Sequence, residues 1–435
     1  MKIRMLAGVA CAALTILAAP VSAATSPGMP AQSSMYNASV DQAVGAFYAS
    51  RQNAPLWLAD GPDSEAAREL IQILRRSSVE GYADGPAIAS QAEALLARAE
   101  TGDRSSLLEA DRLLSTGWVH YVALLRRPPA GMTYAEQWIA PPPRTPNEDL
   151  QLAAAARSLA AYVHSVSQVN PFYSSLRDAA WSQLQSTGTP PDQRLAATLE
   201  RVRIFPAKGR YVVVDAAAAR LWMVEDGRVA DSMKVIVGKS TSQTPMLASV
   251  IHYATLNPYW NVPPDMVRKL IASNVLAQGP GYLKAHGYQL LSDFGDDPQV
   301  VSPQDVDWKA VAEGSAMVRV RQLPGPGNSM GQLKFPFAND GGIYLHDTPK
   351  KELFAGDSRD LSNGCIRLED AGRLGRWLLG REPSPTSSDP EQQVLLPKPV
   401  PVYVTYLTAH AEYGQLTLLS DIYGRDAPPT MAALR

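Results

Sequence analysis

Two residues of this 435-residue chain have the types and spacing for covalent chemistry, Cys365 and His346. They lie nineteen residues apart in the stretch LHDTPKKELFAGDSRDLSNGCIRLED, Leu345 to Asp370. Thiol attack on a carbonyl needs a thiolate, a base that holds and returns its proton, and donors for the oxyanion. His346 closes the strand-like run IYLH, so a rigid element would aim its imidazole. Cys365 follows Ser362-Asn363-Gly364, where the glycine permits a tight turn and close approach by a substrate. The backbone N–H groups of Gly364 and Cys365 are the candidate oxyanion donors. Arg367 and Arg359 bring positive charge that favours a thiolate and can pair with a substrate carboxylate. Either arginine can equally serve as the structural partner of Asp347, Asp357 or Glu369. Ser362 either orients the turn or touches substrate, Asn363 is a further substrate contact, and Tyr344 either lines a cleft or belongs to the core. The competing reading of the pair itself is an inert buried thiol beside a packed histidine.

The rest of the composition sharpens the choice. Lys2 and Arg4 precede an apolar run from Met5 to Ala19, and Val21-Ser22-Ala23 supplies small residues for cleavage, so residues 1–23 read as a signal peptide. Cys11 would leave with it, and Gly8-Val9-Ala10 lacks the leucine of a lipoprotein site. The exported chain then holds one cysteine and no possible internal disulfide. An unpaired thiol in an oxidising compartment is a liability, which favours a working cysteine. Cleavage changes the balance of basic to acidic residues from 40 against 42 to 38 against 42, a net charge of about −4, with no basic excess for nucleic acid. No later run reaches the roughly 18 apolar residues of a membrane helix. His252, His286 and His410 form no metal-ligand pattern, and LPGPGNSMGQ lacks the Gly-Lys-Ser/Thr ending of a phosphate loop, so neither a metal nor another cofactor is expected.

Positioning such a site falls to two regions. Residues 36–200 read as a helical domain: Ala67, Leu70, Ile71 and Leu74 repeat at helical spacing after Asp63 and Ser64, with Gly81 as a stop. Leu107, Ala110, Leu114, Trp118, Tyr121 and Leu125 continue at three or four, and residues 150–166 read as one more helix. At Arg210 the period changes to that of strands, with an Asp226-Gly227 turn, and residues 210–426 read as a mainly β domain. Within it, residues 274–332 lack periodicity and are rich in Gly, Pro and Asp, as a long lid or binding insertion would be. Residues 382–401 read as a proline-rich loop between strands at 342–346 and 402–407. The fold class expected is α+β, helical first and then mainly β.

The motif resembles the signature of the L,D-transpeptidases of bacterial peptidoglycan: a histidine, about 14 to 17 residues, Ser or Thr, one residue, then Gly-Cys. Here His346 is followed by fifteen residues and then Ser362-Asn363-Gly364-Cys365-Ile366-Arg367-Leu368. Asn363 stands where many members have histidine. YLHDTPKKELF, QTPM, LNPYWNVP, YLTAHAEYGQ and DIYGRD resemble the larger periplasmic branch, with its scaffold domain and substrate-capping insertion, and PLWLADG resembles the scaffold. The resemblance implies a sandwich-like catalytic domain, no cofactor, stem peptides as partners, and location at the cell wall in the periplasm. It also implies that Cys365 attacks the third residue of a tetrapeptide stem and expels D-alanine, and that an amine from a second stem resolves the thioester as a 3-3 cross-link. Water as acceptor would make a carboxypeptidase. Cleavage of cross-links or attachment of a protein would use the same pair, and a non-catalytic wall-binding scaffold is the reading from another class.

Overall fold

The computed structural model of the chain describes residues 29–426 apart from Asp296 and Tyr413, with backbone alone over 29–35. The expected signal segment lies outside the described residues.

Among the described residues eight helices come first: α1 (Met29–Ser50), α2 (Glu65–Arg76), α3 (Gly85–Glu100), α4 (Arg104–Arg126), α5 (Pro146–Ala154), α6 (Leu159–Gln168), α7 (Pro171–Thr187) and α8 (Gln193–Val202). Helix α2 forms where Ala67, Leu70, Ile71 and Leu74 fall on one stripe, and all four are buried. The chain leaves it through a 3-10 turn over Ser77–Glu80 that Gly81 ends in the left-handed conformation. On α4 the spacing of three or four buries Ala110, Leu114, Trp118 and Tyr121 completely. Residues 150–166, expected as one helix, are divided between α5 and α6. A capping box of Thr145 and Glu148 starts the first, and Ser158, accepting from the Ala161 N–H at 3.2 Å, starts the second. A side-chain cap competes with helix continuation, and a run of alanines does not reveal that competition.

One buried carboxylate organises these helices. Asp111 on α4 is fully buried and accepts from the backbone N–H groups of Leu56 at 2.7 Å and of Trp57 and Leu58 at 2.8 Å, and from the Tyr48 hydroxyl. It ties the PLWLADG segment to the middle of α4, so the four donors satisfy a group that would otherwise be costly to bury.

After the short strand β1 (Thr133–Tyr134), the β domain opens with the meander β2 (Arg210–Asp215), β3 (Arg220–Glu225) and β4 (Arg228–Gly238). Asp226 and Gly227, at φ 49° and 76°, make the tight turn between the last two. Strand β5 (Leu247–Leu256) leads into a subdomain in which β6 (Trp260–Asn261), β7 (Tyr288–Leu291), β8 (Val300–Val301) and β9 (Arg319–Gln322) pair in the order β6-β9-β7-β8. The chain returns as β10 (Leu333–Pro336), β11 (Tyr344–His346), β12 (Asp360–Ser362), β13 (Ile366–Leu368) and β14 (Gln392–Thr405), and then forms the hairpin of β15 (Ala409–Glu412) and β16 (Gln415–Leu418). The main sheet runs β1-β5-β10-β11-β13-β4-β3-β2-β14, and β14 pairs again with β5. The fold is thus α+β, and the halves of its β domain are one sheet closed on itself.

Alternate residues of the strands serve two cores. Val212 and Val214 point into the closed sheet with Ile251 and Val402, whereas Tyr211, Val213, Val250 and Tyr403 join the core of the helical domain. Burial on both faces explains why YVVVD is a continuous apolar run. The helices therefore cover the β2–β14–β5 side of the sheet and leave the β10–β11–β13 side to the site.

Two expectations are corrected here. Residues 274–332 are a folded unit, not a loop, and the unit begins earlier, at Trp260, with its own core of Trp260, Ile271, Leu290, Trp308 and Val320. Its strands are two to four residues long, too short for alternation to show. The second half of the 382–401 loop is strand β14, whose ladder slips between Leu395 and Val400; prolines at 397 and 399 fall within that irregularity.

Replacing Asp111 with Ala strands three backbone donors and a tyrosine hydroxyl in the core. Thermal or urea unfolding of that variant should show a loss on the order of 3 kcal/mol; a loss below about 0.5 kcal/mol would mean the loop donors find other partners.

Candidate active site

Strands β11 and β13 run parallel, with Leu345 opposite Ile366 and His346 opposite Arg367. Continued one residue back, this register sets Cys365 opposite Tyr344. Leu345, Ile366 and Leu368 point into the closed core, so Tyr344, His346, Cys365 and Arg367 share the outer face. The thiol and the imidazole are diagonal neighbours on adjacent strands, which lie about 4.8 Å apart in a sheet. Among the described residues no hydrogen bond joins them; the thiol donates to the Gly342 carbonyl at 3.7 Å.

His346 is 3% exposed, and its Nδ1 lies 2.6 Å from the Asp347 carbonyl. A carbonyl only accepts, so Nδ1 carries the hydrogen, and the neutral ring keeps its lone pair on Nε2, the tautomer a base requires. Burial lowers the imidazole pKa to about 4, against the Asp347 hydrogen bond, while the Arg367 charge adds to the lowering. Burial pushes the Cys365 thiol up, opposed by a hydrogen bond from the Tyr344 N–H and by the charge of Arg367. Both shifts favour the uncharged pair. At neutral pH the site holds thiol and imidazole, and a proton must move as the sulfur attacks.

The turn before the thiol is fixed from within. Ser362, 2% exposed, donates from Oγ to the Cys365 carbonyl at 2.6 Å and accepts from the Gly364 N–H at 3.0 Å. Its hydroxyl proton is thus committed to the turn. The Gly364 N–H is committed as well, which corrects its expected place as an oxyanion donor and leaves that of Cys365. Gly364 sits at φ +117°, and a Cβ there would come within 3.2 Å of the Ile343 side chain, so the position requires glycine.

The two arginines separate. Arg367 is partly buried on the site face, and among the described residues no acid or carbonyl accepts from its guanidinium. Asp347 is instead taken by Lys351 at 2.7 Å and by the Gln332 N–H at 3.0 Å, and Glu369 by the Lys234 N–H at 3.1 Å and by Arg373. Arg359 is spent on the carbonyls of Gly356, Asp357 and Ala218 at 3.1 to 3.3 Å. It closes a loop, which corrects its reading as a substrate contact. Asn363 is exposed and reaches the sulfur of Met266 at 3.5 Å, so the 260–330 unit touches the turn that bears the thiol.

Sequence reasoning passed over Lys334 and Thr244. Lys334 pairs with His346 across β10 and β11, contacts Glu391 at 3.6 Å and lies 5.6 Å from the centre of the Tyr344 ring. In LKFPF it reads as an ordinary outward lysine of an alternating strand. Thr244, in the QTPM segment, is fully buried and donates to the Gly364 carbonyl at 2.8 Å.

The chain thus joins a helical domain to a closed β-sheet that carries thiol, imidazole and guanidinium on one face. Residues 209–402 match the family model described as the L,D-transpeptidase catalytic domain, and residues 42–179 match the one described as the scaffold domain. A Haemophilus influenzae protein provisionally named as an L,D-transpeptidase is 28% identical over 398 residues, 89% of this chain and 79% of that protein. Among solved structures, a mutant L,D-transpeptidase from Enterococcus faecium is 14% identical with a TM-score of 0.24, over 45% of this chain and 50% of that one. An L,D-transpeptidase from Mycobacterium smegmatis is 15% identical with a TM-score of 0.23, over 45% of this chain and 58% of that one. The chain thus aligns with half the length of the first solved chain and 58% of the second. It carries a scaffold domain and an L,D-transpeptidase catalytic domain, and it is an enzyme of that kind.

The uncharged pair has a measurable signature. Alkylation of Cys365 by iodoacetamide should rise continuously from about pH 6 to above the ordinary thiol value of 9.0, because thiolate accumulates only at the alkaline end. A rate already flat near pH 7 would indicate a pre-formed thiolate–imidazolium pair.

Proposed function

We propose that this protein is an exported peptidoglycan L,D-transpeptidase in which Cys365 is the nucleophile and His346 the base. The observation that carries the proposal is the placement of three groups on one sheet face: the thiol, an imidazole whose Nε2 keeps its lone pair, and an arginine with no acid or carbonyl partner among the described residues. Peptidoglycan is the substrate the family implies, and the features of residues 1–23 support export to the periplasm.

In the first half-reaction the sulfur attacks the carbonyl of the third stem residue, at its L-centre, while Nε2 of His346 takes the thiol proton. The oxyanion accepts from the Cys365 N–H. Collapse breaks the peptide bond, His346 gives the proton to the leaving nitrogen, and D-alanine departs with a thioester left on Cys365. In the second half-reaction an amine of another stem attacks the thioester. His346 takes a proton from that amine and returns it to the departing sulfur, so a 3-3 cross-link forms and the enzyme is restored. Arg367 holds a stem carboxylate, for which its unpaired guanidinium is suited. The 260–330 unit, in contact with Asn363, caps the bound stem. Water in place of the amine gives the carboxypeptidase reaction on the same machinery.

The test is mass spectrometry of products from disaccharide-tetrapeptide muropeptides. Dimers lacking one D-alanine should form with the native enzyme and fall at least about a thousandfold with Cys365→Ala. Tripeptide alone would select the carboxypeptidase reading, and equal turnover by the two proteins would remove Cys365 as nucleophile. His346→Ala should slow acylation by roughly 100- to 10,000-fold. In the native enzyme the acid limb should lie near pH 4, since activity is lost as the pH falls through the value about 4 at which the imidazole takes a proton. Arg367→Ala should raise KM by about 10- to 100-fold with a smaller change in kcat; an unchanged KM would reassign the arginine.

A further inference from the structure

The carbonyl of Gly364 and the N–H of Cys365 belong to one peptide group. That group is planar and trans, so the two point in opposite directions, and whatever holds the carbonyl also aims the N–H. The holder is Thr244, whose buried Oγ1 donates to the Gly364 carbonyl at 2.8 Å and accepts from the Gly238 N–H at 2.9 Å. Gly364, at φ +117°, leaves the peptide easy to rotate without such a partner. Gly238 is packed so closely beneath this loop that a Cβ there would lie 2.1 Å from the Ser242 carbonyl oxygen and 2.7 Å from the Thr244 nitrogen.

The threonine is itself held from the far side. Arg425 donates to Gln243 Oε1 from Nε at 3.1 Å and from Nη2 at 2.9 Å, and to the Thr244 carbonyl at 2.9 Å. Gln243 donates to the Tyr423 carbonyl at 3.0 Å, and the Tyr423 hydroxyl donates to the Gly238 carbonyl. This 421–426 segment is anchored on the helical domain. Arg201 of α8 donates to the carbonyls of Tyr406 and Arg425, each at 2.8 Å, and pairs with Asp426 in a bridge whose side chains are 7% and 4% exposed. Hydrogen bonds therefore run without a break from α8, through 421–426 and 243–244, to the peptide that precedes the thiol.

We infer that Thr244 is a positioning residue that aims the Cys365 N–H at the developing oxyanion, and that Arg425 and Arg201 extend the helical domain's hold to that donor. The inference rests on the reading of Cys365 as the nucleophile. It gives helix α8 a part in catalysis from outside the site face.

The experiment compares Thr244→Val, which keeps the shape and removes the hydroxyl, with Thr244→Ser, which restores it. Turnover of disaccharide-tetrapeptide and alkylation of Cys365 by iodoacetamide are measured side by side. Alkylation is a displacement at carbon with no oxyanion, so it reports on the thiol and not on the donor. The valine variant should lose about 100-fold in kcat with KM and alkylation within about twofold of native, and serine should recover most of the loss. A kcat within about twofold of native would overturn the inference. So would a parallel fall in kcat and alkylation, since Thr244 would then hold the turn as a whole. Arg425→Gln serves if the valine variant does not fold: a loss of roughly tenfold in kcat at unchanged alkylation is expected, and no loss overturns the relay. Undiminished turnover by Cys365→Ala would instead fail the nucleophile reading, and with it the inference; a silent Cys365→Ala beside a fully active valine variant fails the inference alone.

Discussion

Two parallel strands of three residues each, β11 and β13, fix the relation on which the rest of the site depends. Parallel pairing of Leu345 with Ile366 sends both into the closed core and turns Tyr344, His346, Cys365 and Arg367 outward together. A shift of one residue in either strand would bury the thiol or the imidazole and expose leucine or isoleucine, so burial of the aliphatic pair enforces the register. The eighteen residues between His346 and Cys365 form the crossover that parallel neighbours need. Lys351 within that connection is tied to Asp347 and to the carbonyls of Leu368 and Glu369, which fastens the crossover back onto both strands.

Electrostatics in this setting favour chemistry that is activated late. Burial dominates both groups, lowering the imidazole and raising the thiol. A stable thiolate would invite oxidation, because the thiolate is the reactive form. A neutral pair avoids this. The Nδ1 contact with the Asp347 carbonyl leaves Nε2 able to accept a proton, since it fixes the tautomer without supplying a full negative charge that would drive the ring to imidazolium.

The domain arrangement follows from two-sided burial. Strands β2, β5 and β14 share alternate residues between the closed sheet and the helices, so separating the domains would expose Tyr211, Val213, Val250 and Tyr403 together. Such a joint is a continuous core, unlike the polar interfaces across which domains usually move. The 260–330 unit differs: it has its own core, is connected through β5 and β10, and meets the site turn through Met266 and Asn363. A rigid back and a separately packed front suit a site that must hold its reacting groups still while admitting a peptide.

The sequence by itself determined the class of fold, and it singled out Cys365 and His346 as the candidate pair. Helical spacing in α2 and α4, the Asp226-Gly227 turn, and the change of period at Arg210 are local patterns, and they appear in the structure as they read in the chain. The same holds for a glycine before Cys365 and a histidine at the end of IYLH, because short-range backbone geometry fixes which residues fit there. What only the tertiary structure decided were the partners. Whether Arg359 or Arg367 faces the site, whether the Gly364 N–H is free, and which residue grips the Gly364 carbonyl all depend on groups brought together from distant parts of the chain. Thr244 is 120 residues from Gly364, and Arg201 is 225 residues from Asp426. Hydrogen bonds are satisfied by whatever donor or acceptor the packing delivers, and no periodicity along a single chain encodes that choice. The 260–330 unit was hidden for a related reason: strands of two to four residues are stabilised by their neighbours and carry too little pattern of their own to be read.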